Sequence, residues 1–207
     1  MGNTVIDTLW DDNPVDVSTE VNFIWSIANK LRGTYQSDKY KDVIIPMVII
    51  RRFECALADT KKDVVDTFKK NPNYPAKAMY RISKRQFYNT SEFTLAELVN
   101  DSDHIAANFR NYISGFSANV QDIIKSLDFD KQIEKMDKNN RLLSVVKAFS
   151  ELDLNPVTID NVKMGYIFED LIRRFSENAE AGDHYTGRDI IKLMVNILLA
   201  EGCDDIF

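Results

Sequence analysis

Asp38-Lys39-Tyr40-Lys41-Asp42-Val43-Ile44-Ile45-Pro46-Met47-Val48-Ile49-Ile50-Arg51-Arg52-Phe53 is the stretch that settles what kind of fold this is. Val43, Ile44, Ile45, Met47, Val48, Ile49, Ile50 and Phe53 are apolar on nearly every side of a helix beginning near Asp38, which places it at the centre of a helical bundle. Pro46 is expected to kink that helix or to mark a late first turn, because it donates no N–H. Upstream, Ser18 is placed to cap a helix whose Val21, Ile24, Trp25, Ala28 and Leu31 form one stripe, with Gly33 placed to end it. Downstream, the charged residues 59–74 run into Asn71-Pro72-Asn73-Tyr74-Pro75 and read as a loop. Thr94-Leu95-Ala96-Glu97 has capping-box spacing, and a long helical pattern follows through Ile105, Phe109, Tyr112 and Ile113 to Gly115. Further helices are expected at 118–127 and 140–152, the latter with Leu142, Val145, Val146, Phe149 and Leu152 on one stripe. No alternating strand run of useful length occurs before residue 155.

Composition agrees with an all-α chain. Its 207 residues are 44% hydrophobic, enough for a sizeable core, and its 7 Gly and 5 Pro are too few to punctuate the short strands of a sandwich or barrel. No apolar run approaches the roughly 18 residues of a membrane span. Met1 to Asp12 lacks the layout of a signal peptide, so a cytoplasmic protein with no membrane partner is expected. Cys55 and Cys203 show no metal-ligand spacing and read as buried free thiols, with no metal site. The net charge of −6 argues against a histone-like nucleic-acid binder but leaves room for a local basic face. Residues 156–207 hold 5 basic and 10 acidic side chains, against 21 and 22 before them.

That charge shift coincides with Leu154-Asn155-Pro156-Val157-Thr158, which divides the chain into 1–155 and 156–207. Met164, Ile167, Phe168, Leu171, Ile172 and Phe175 then mark an amphipathic helix, and Ala179 to Gly187 a polar loop. Thr186 can cap a last helix carrying Asp189 in its first turn, with Ile190, Ile191, Met194, Ile197 and Leu198 as its apolar face. Cys203-Asp204-Asp205-Ile206-Phe207 looks like the approach to the first strand of a larger α/β sheet, so the chain is expected to be a fragment. Gly182-Asp183-His184-Tyr185-Thr186-Gly187-Arg188 offers a ring, a hydroxyl, an arginine and helix-start N–H groups suited to a carboxylate or phosphate. An ordinary turn with a capping threonine is its plain alternative.

Gly165-Tyr166-Ile167-Phe168-Glu169-Asp170-Leu171-Ile172, then Gly182 to Arg188, then Ile190 to Leu199, resembles the start of the catalytic domain of type I restriction-modification DNA methyltransferase subunits. In that family a G-x-I-F-E-x-L-I helix precedes a G-x-x-(F/Y)-T-P-R motif. Leu9-Trp10, Asn29-Lys30-Leu31-Arg32-Gly33, Tyr40 to Pro46 and Ile50-Arg51-Arg52-Phe53 resemble its N-terminal helical domain, so the likeness covers nearly the whole chain. It implies a helical bundle over 1–155, followed over 156–207 by the first helices of an α/β, Rossmann-like methyltransferase domain whose sheet lies beyond the chain end.

The activity implied is transfer of a methyl group from S-adenosyl-L-methionine to adenine N6 in DNA by the full-length parent, the fragment alone being inactive. Asp183, His184, Tyr185, Thr186, Gly187 and Arg188 would contact the cofactor, Tyr185 and Thr186 beside its methionine portion. Gly187 replaces the family's proline, which should leave the loop more mobile. The glycine-rich loop and the Asn/Asp-Pro-Pro-aromatic motif for the flipped adenine would lie beyond Phe207. Implied partners are DNA, a specificity subunit, a restriction subunit and a second methylation subunit.

Asn71-Pro72-Asn73-Tyr74 imitates the catalytic motif but lacks its second proline and reads as a turn. Arg51 with Arg52, and Arg81, Lys84 and Arg85 near Tyr80, Phe87 and Tyr88, could neutralise phosphates. Solvated faces or contacts to a protein partner are the competing reading. His104 needs no catalytic role. The rival to the enzyme reading is a free-standing helical protein-interaction module; a helical repressor is disfavoured by a pI near 5.0.

Overall fold

The computed structural model describes residues 15–177, 190–191 and 193–195. Among these residues the chain is helical and contains no strand, as the sequence predicts for the bundle. The helices are α1 (Ser18–Ala28), α2 (Lys41–Leu57), α3 (Lys61–Lys70), α4 (Ala76–Ser83), α5 (Leu95–Leu98), α6 (Ile105–Ser114), α7 (Ala118–Ser126), α8 (Phe129–Lys138), α9 (Leu142–Ser150) and α10 (Asn161–Glu177). No helix among the described residues is long and apolar enough to cross a membrane.

The cap of α1 falls one residue earlier than expected: Ser18 is already helical and Val17 is the N-cap without a side-chain cap bond, while Ser18 N donates to Asp16 Oδ1 at 2.9 Å. Gly33, at φ +85°, closes the 3₁₀ turn that follows α1, a left-handed conformation glycine adopts without strain. In α2, Pro46 is buried as the sixth residue and the helix continues through it. Its missing N–H would have bonded a carbonyl in the first turn, where one lost bond costs least.

Val43, Ile44, Met47, Val48 and Ile50 of α2 are fully buried. They meet α9, which packs against α1, α2, α5, α6 and α8 through Leu142, Val145, Val146, Ala148 and Phe149.

Four helices differ from expectation, α4 and α8 because they fall where no helix is expected. Lys61–Lys70 is α3, not loop: Val64 and Val65 are buried where α3 pairs with α4, so tertiary contact decides a segment whose short apolar set, Val64, Val65 and Phe68, is outnumbered by charges. The capping box is present, with Glu97 N donating to Thr94 Oγ1 and Thr94 N to Glu97 Oε2, but its helix is only α5, and a 3₁₀ turn at Ser102–His104 separates it from α6. Helix α8 buries Phe129, Ile133 and Met136 on a helix otherwise mostly charged.

Gly115 ends α6 as expected, for a reason of space. Residues 89–91 cross it at backbone distance, with Thr90 N donating to Gly115 O at 2.8 Å and Ser117 N to Tyr88 O at 3.0 Å. A Cβ on Gly115 would lie 2.6 Å from Ser91 N.

The division after residue 155 falls in a turn where Thr158 N and Ile159 N both donate to Asn155 O. Beyond it, Met164, Ile167, Leu171 and Phe175 of α10 are buried in the same apolar cluster as α1, α2 and α9. Trp25 and Phe175 place their ring centroids 5.4 Å apart, and Lys163 pairs with Glu20 at 2.8 Å, so α10 lies along α1.

Candidate functional site

Asp183, His184, Tyr185, Thr186, Gly187 and Arg188, the six expected cofactor contacts, lie outside the described residues, as does Cys203. What the structure does place is the helix that leads toward them. Gly165 to Ile172, the residues carrying the catalytic-domain resemblance, sit on α10, and α10 is fixed at both ends.

Its N-terminal end is held by α2. Arg52 Nη1 donates to Leu154 O at 2.8 Å and to Ile159 O at 2.6 Å, and Nη2 donates to Asn161 Oδ1 at 3.0 Å. One turn of helix presents Arg51 beside it, whose Nε donates to Leu152 O at 2.6 Å. The planar fork of arginine suits this gathering of carbonyls that no backbone donor reaches. Arg51 and Arg52 therefore commit these donors inside the chain, and the phosphate role read for them from sequence gives way to a clamp on the α9–α10 turn. Burial lowers the Arg52 pKa, and nearby Arg85 adds to the same direction. Cys55, a free thiol one turn further on, is pushed up by burial, against a backbone hydrogen bond from Leu154.

Beside this clamp lies a polar centre that sequence reading did not single out. Glu54 Oε2 accepts from the backbone N–H of Leu95 at 2.7 Å and from the Tyr112 hydroxyl at 2.9 Å, while Oε1 accepts from Arg51 Nη1 at 2.5 Å. One carboxylate thus ties α2 to the start of α5 and to α6, satisfying an orphan helix N–H. Burial, then the neighbouring Glu54 carboxylate, raises the Tyr112 hydroxyl well above its ordinary value. Lys61 Nζ donates to Asn89 Oδ1 at 3.2 Å and lies 5.6 Å from the Tyr112 ring centre. Burial lowers Lys61 to about 8, with Glu54 and Glu97 opposing. These groups line a cleft of about 440 Å³. The one acidic residue after the first turn of α2, set three positions after Arg51, was the available signal.

Arg81, Lys84 and Arg85 are exposed at the end of α4, and Tyr80 and Tyr88 pack with ring centroids 5.3 Å apart beneath them. Unlike Arg51 and Arg52, they are open to an external anion. Asn71 to Tyr74 is the expected turn, closed by Tyr74 N to Asn71 O at 3.0 Å. His104 is exposed and pairs with Asp101 at 3.0 Å, with no catalytic neighbourhood.

A family model described as the HsdM N-terminal domain matches residues 21–149. The type I restriction enzyme MjaIX methylase subunit of Methanocaldococcus jannaschii is 21% identical over 202 aligned residues, covering 87% of this chain and 35% of that protein. The chain thus spans about a third of the length of this curated relative.

Proposed function

The chain belongs to the HsdM N-terminal domain family, and from that premise we propose that it is the N-terminal portion of a type I restriction-modification DNA methyltransferase subunit. The observation that carries this reading is the match of residues 21–149, more than half of the chain, to that family. The order of the α10 motif, the Gly182 to Arg188 loop and the Ile190 to Leu199 segment supports it, because these are the parts expected directly after such a bundle.

The parent enzyme transfers a methyl group from S-adenosyl-L-methionine to adenine N6 in DNA, in the cytoplasm, together with specificity and restriction subunits and a second methylation subunit. The bound cofactor supplies an electrophilic methyl sulfonium. In this reading Asp183 to Arg188 hold the methionine portion, Tyr185 by its ring and the helix-start N–H groups by its carboxylate. The part played by α10 is to lead the chain from the bundle toward that segment, with Arg52 holding one end of the helix and Phe175 packing the other against α1.

The test uses the parent subunit assembled with its specificity subunit, given isotopically labelled cofactor and duplex DNA, with the product nucleosides identified by mass spectrometry. Label in N6-methyldeoxyadenosine is expected. Label in a methylcytosine, or none in DNA, refutes the reading. In the same assembly, Tyr185→Ala should weaken cofactor binding about tenfold by titration calorimetry, the order expected for a lost ring contact of ~1.5 kcal/mol.

A further inference from the structure

Residues 67–91 contain six Lys and Arg and no Asp or Glu, although the rest of the chain holds 20 basic and all 32 acidic residues. This acid-free stretch runs from the last turn of α3 through the Asn71–Pro75 turn and α4 to the segment that crosses Gly115. Its first acidic neighbour downstream, Glu92, is taken up by Lys69 at 2.7 Å. Lys77, Arg81, Lys84 and Arg85 are exposed, and none has an acidic partner among the described residues.

Their placement is fixed. Met79 and Ser83 turn one side of α4 inward, which leaves Lys77 and Arg81, one turn apart, on the opposite side. At the C-terminal end Lys84 takes a left-handed conformation at φ 53°. The buried Ser83 is bonded on both sides: its carbonyl accepts from Thr60 Oγ1 and its hydroxyl oxygen accepts from Arg85 N. Lys77 to Lys84 spans about 10 Å at the helical rise of ~1.5 Å per residue. Phosphates on one strand of a duplex advance about 3.4 Å per nucleotide along its axis, so the stripe is long enough to face more than one of them. The exposed neighbours Asn71, Asn73, Tyr74 and Gln86 are the neutral donor types that accompany cations at phosphates. A protein interface would need an apolar, charge-depleted middle, which this face lacks.

We infer that α4 and its flanking turns, through Lys77, Arg81, Lys84 and Arg85, form a sequence-independent contact to the phosphate backbone of duplex DNA. The inference rests on the proposed function for its choice of DNA as the polyanion. The contact supplies affinity and register, leaving base recognition to other parts of the assembly.

The experiment measures binding of the 207-residue chain to a fluorescent duplex by anisotropy from 50 to 200 mM salt. It compares the native chain with K77Q/R81Q/K84Q/R85Q and with K30Q/K41Q/K125Q/K147Q, which removes the same charge from exposed positions elsewhere. At about 0.9 per phosphate contact, the first variant should lose 3 to 4 units of the log–log salt slope and bind at least about a hundredfold more weakly at 50 mM salt. The second should keep most of both, and circular dichroism melts should coincide for all three. Equal losses in both variants, an unchanged slope in the first, or no salt-dependent binding by the native chain overturns the inference. So does unchanged duplex binding with lost binding to poly-glutamate, which would make the face a site for acidic protein. Adenine methylation by the parent enzyme with no effect of the four substitutions on duplex binding refutes this contact alone. Binding lost as expected, with no methyl transfer, refutes the enzyme reading alone.

Discussion

At the scale of single residues, the Lys61 ammonium releases its proton near pH 8 in the folded chain because it is buried, against 10.5 for an ordinary lysine. Between those values the unfolded chain binds a proton that the folded chain has lost, so raising the pH through that window favours the folded state. Below about pH 8 the charged group weighs against folding by a constant amount. Lys61→Met keeps the apolar stem, and Asn89 Oδ1 keeps its bond from Ser91 N. The variant should melt above the native chain at pH 7, and the gap should narrow by pH 9.5, tyrosine titration acting alike on both chains. A gap independent of pH would mean that burial does not govern this group. Gly115 offers a steric counterpart: with Ser91 N only 2.6 Å from the position of a Cβ, Gly115→Ala should cost about 1–3 kcal/mol in urea unfolding by forcing two backbone segments apart. A cost under ~0.5 kcal/mol would show that the crossing yields.

At the scale of elements, the helices legible in the sequence are those whose apolar residues repeat with the helical period: α1, α2, α6, α7, α9 and α10. The Thr94–Glu97 box was legible too, because its chemistry is local. Helix α3 was not, since its apolar residues Val64, Val65 and Phe68 span little more than one turn among six charged ones and its stability comes from α4. The roles of Arg51 and Arg52 were hidden for a related reason. Their acceptors at Leu152, Leu154 and Ile159 lie about a hundred positions away in the chain, where no spacing rule reaches. The six residues expected to contact the cofactor, Asp183 to Arg188, rest on resemblance alone and fall outside the described residues. Because Arg52 joins two elements, its removal should be felt in the connection: Arg52→Met leaves two carbonyls without their charged donor and should cost about 2–3 kcal/mol. Amide exchange at 153–165 should rise more than in α6. Arg52→Lys should recover only part, since an ammonium cannot reproduce the fork. Full recovery by lysine, or uniform exchange, would remove the clamp.

At the scale of the whole molecule, the charge division and the core division do not coincide. The acidic C-terminal quarter begins after residue 155, yet Ile159, Met164, Ile167, Leu171 and Phe175 belong to the apolar cluster of the helices before it. Burying each of the last four is worth about 1.5–3 kcal/mol, an upper figure because unfolded chains already hide part of that surface. Even the lower end, about 6 kcal/mol, is of the order of a domain's entire stability. A chain ending at residue 155 should therefore melt about 15 °C below one ending at residue 177, or show no cooperative transition, by circular dichroism at equal concentration. The chain ending at 177 should match the 207-residue chain within a few degrees. Were the 155-residue chain to melt within about 3 °C of the longer ones, α10 would be a passenger on a bundle complete without it, and the bundle could not fix where the following segment begins.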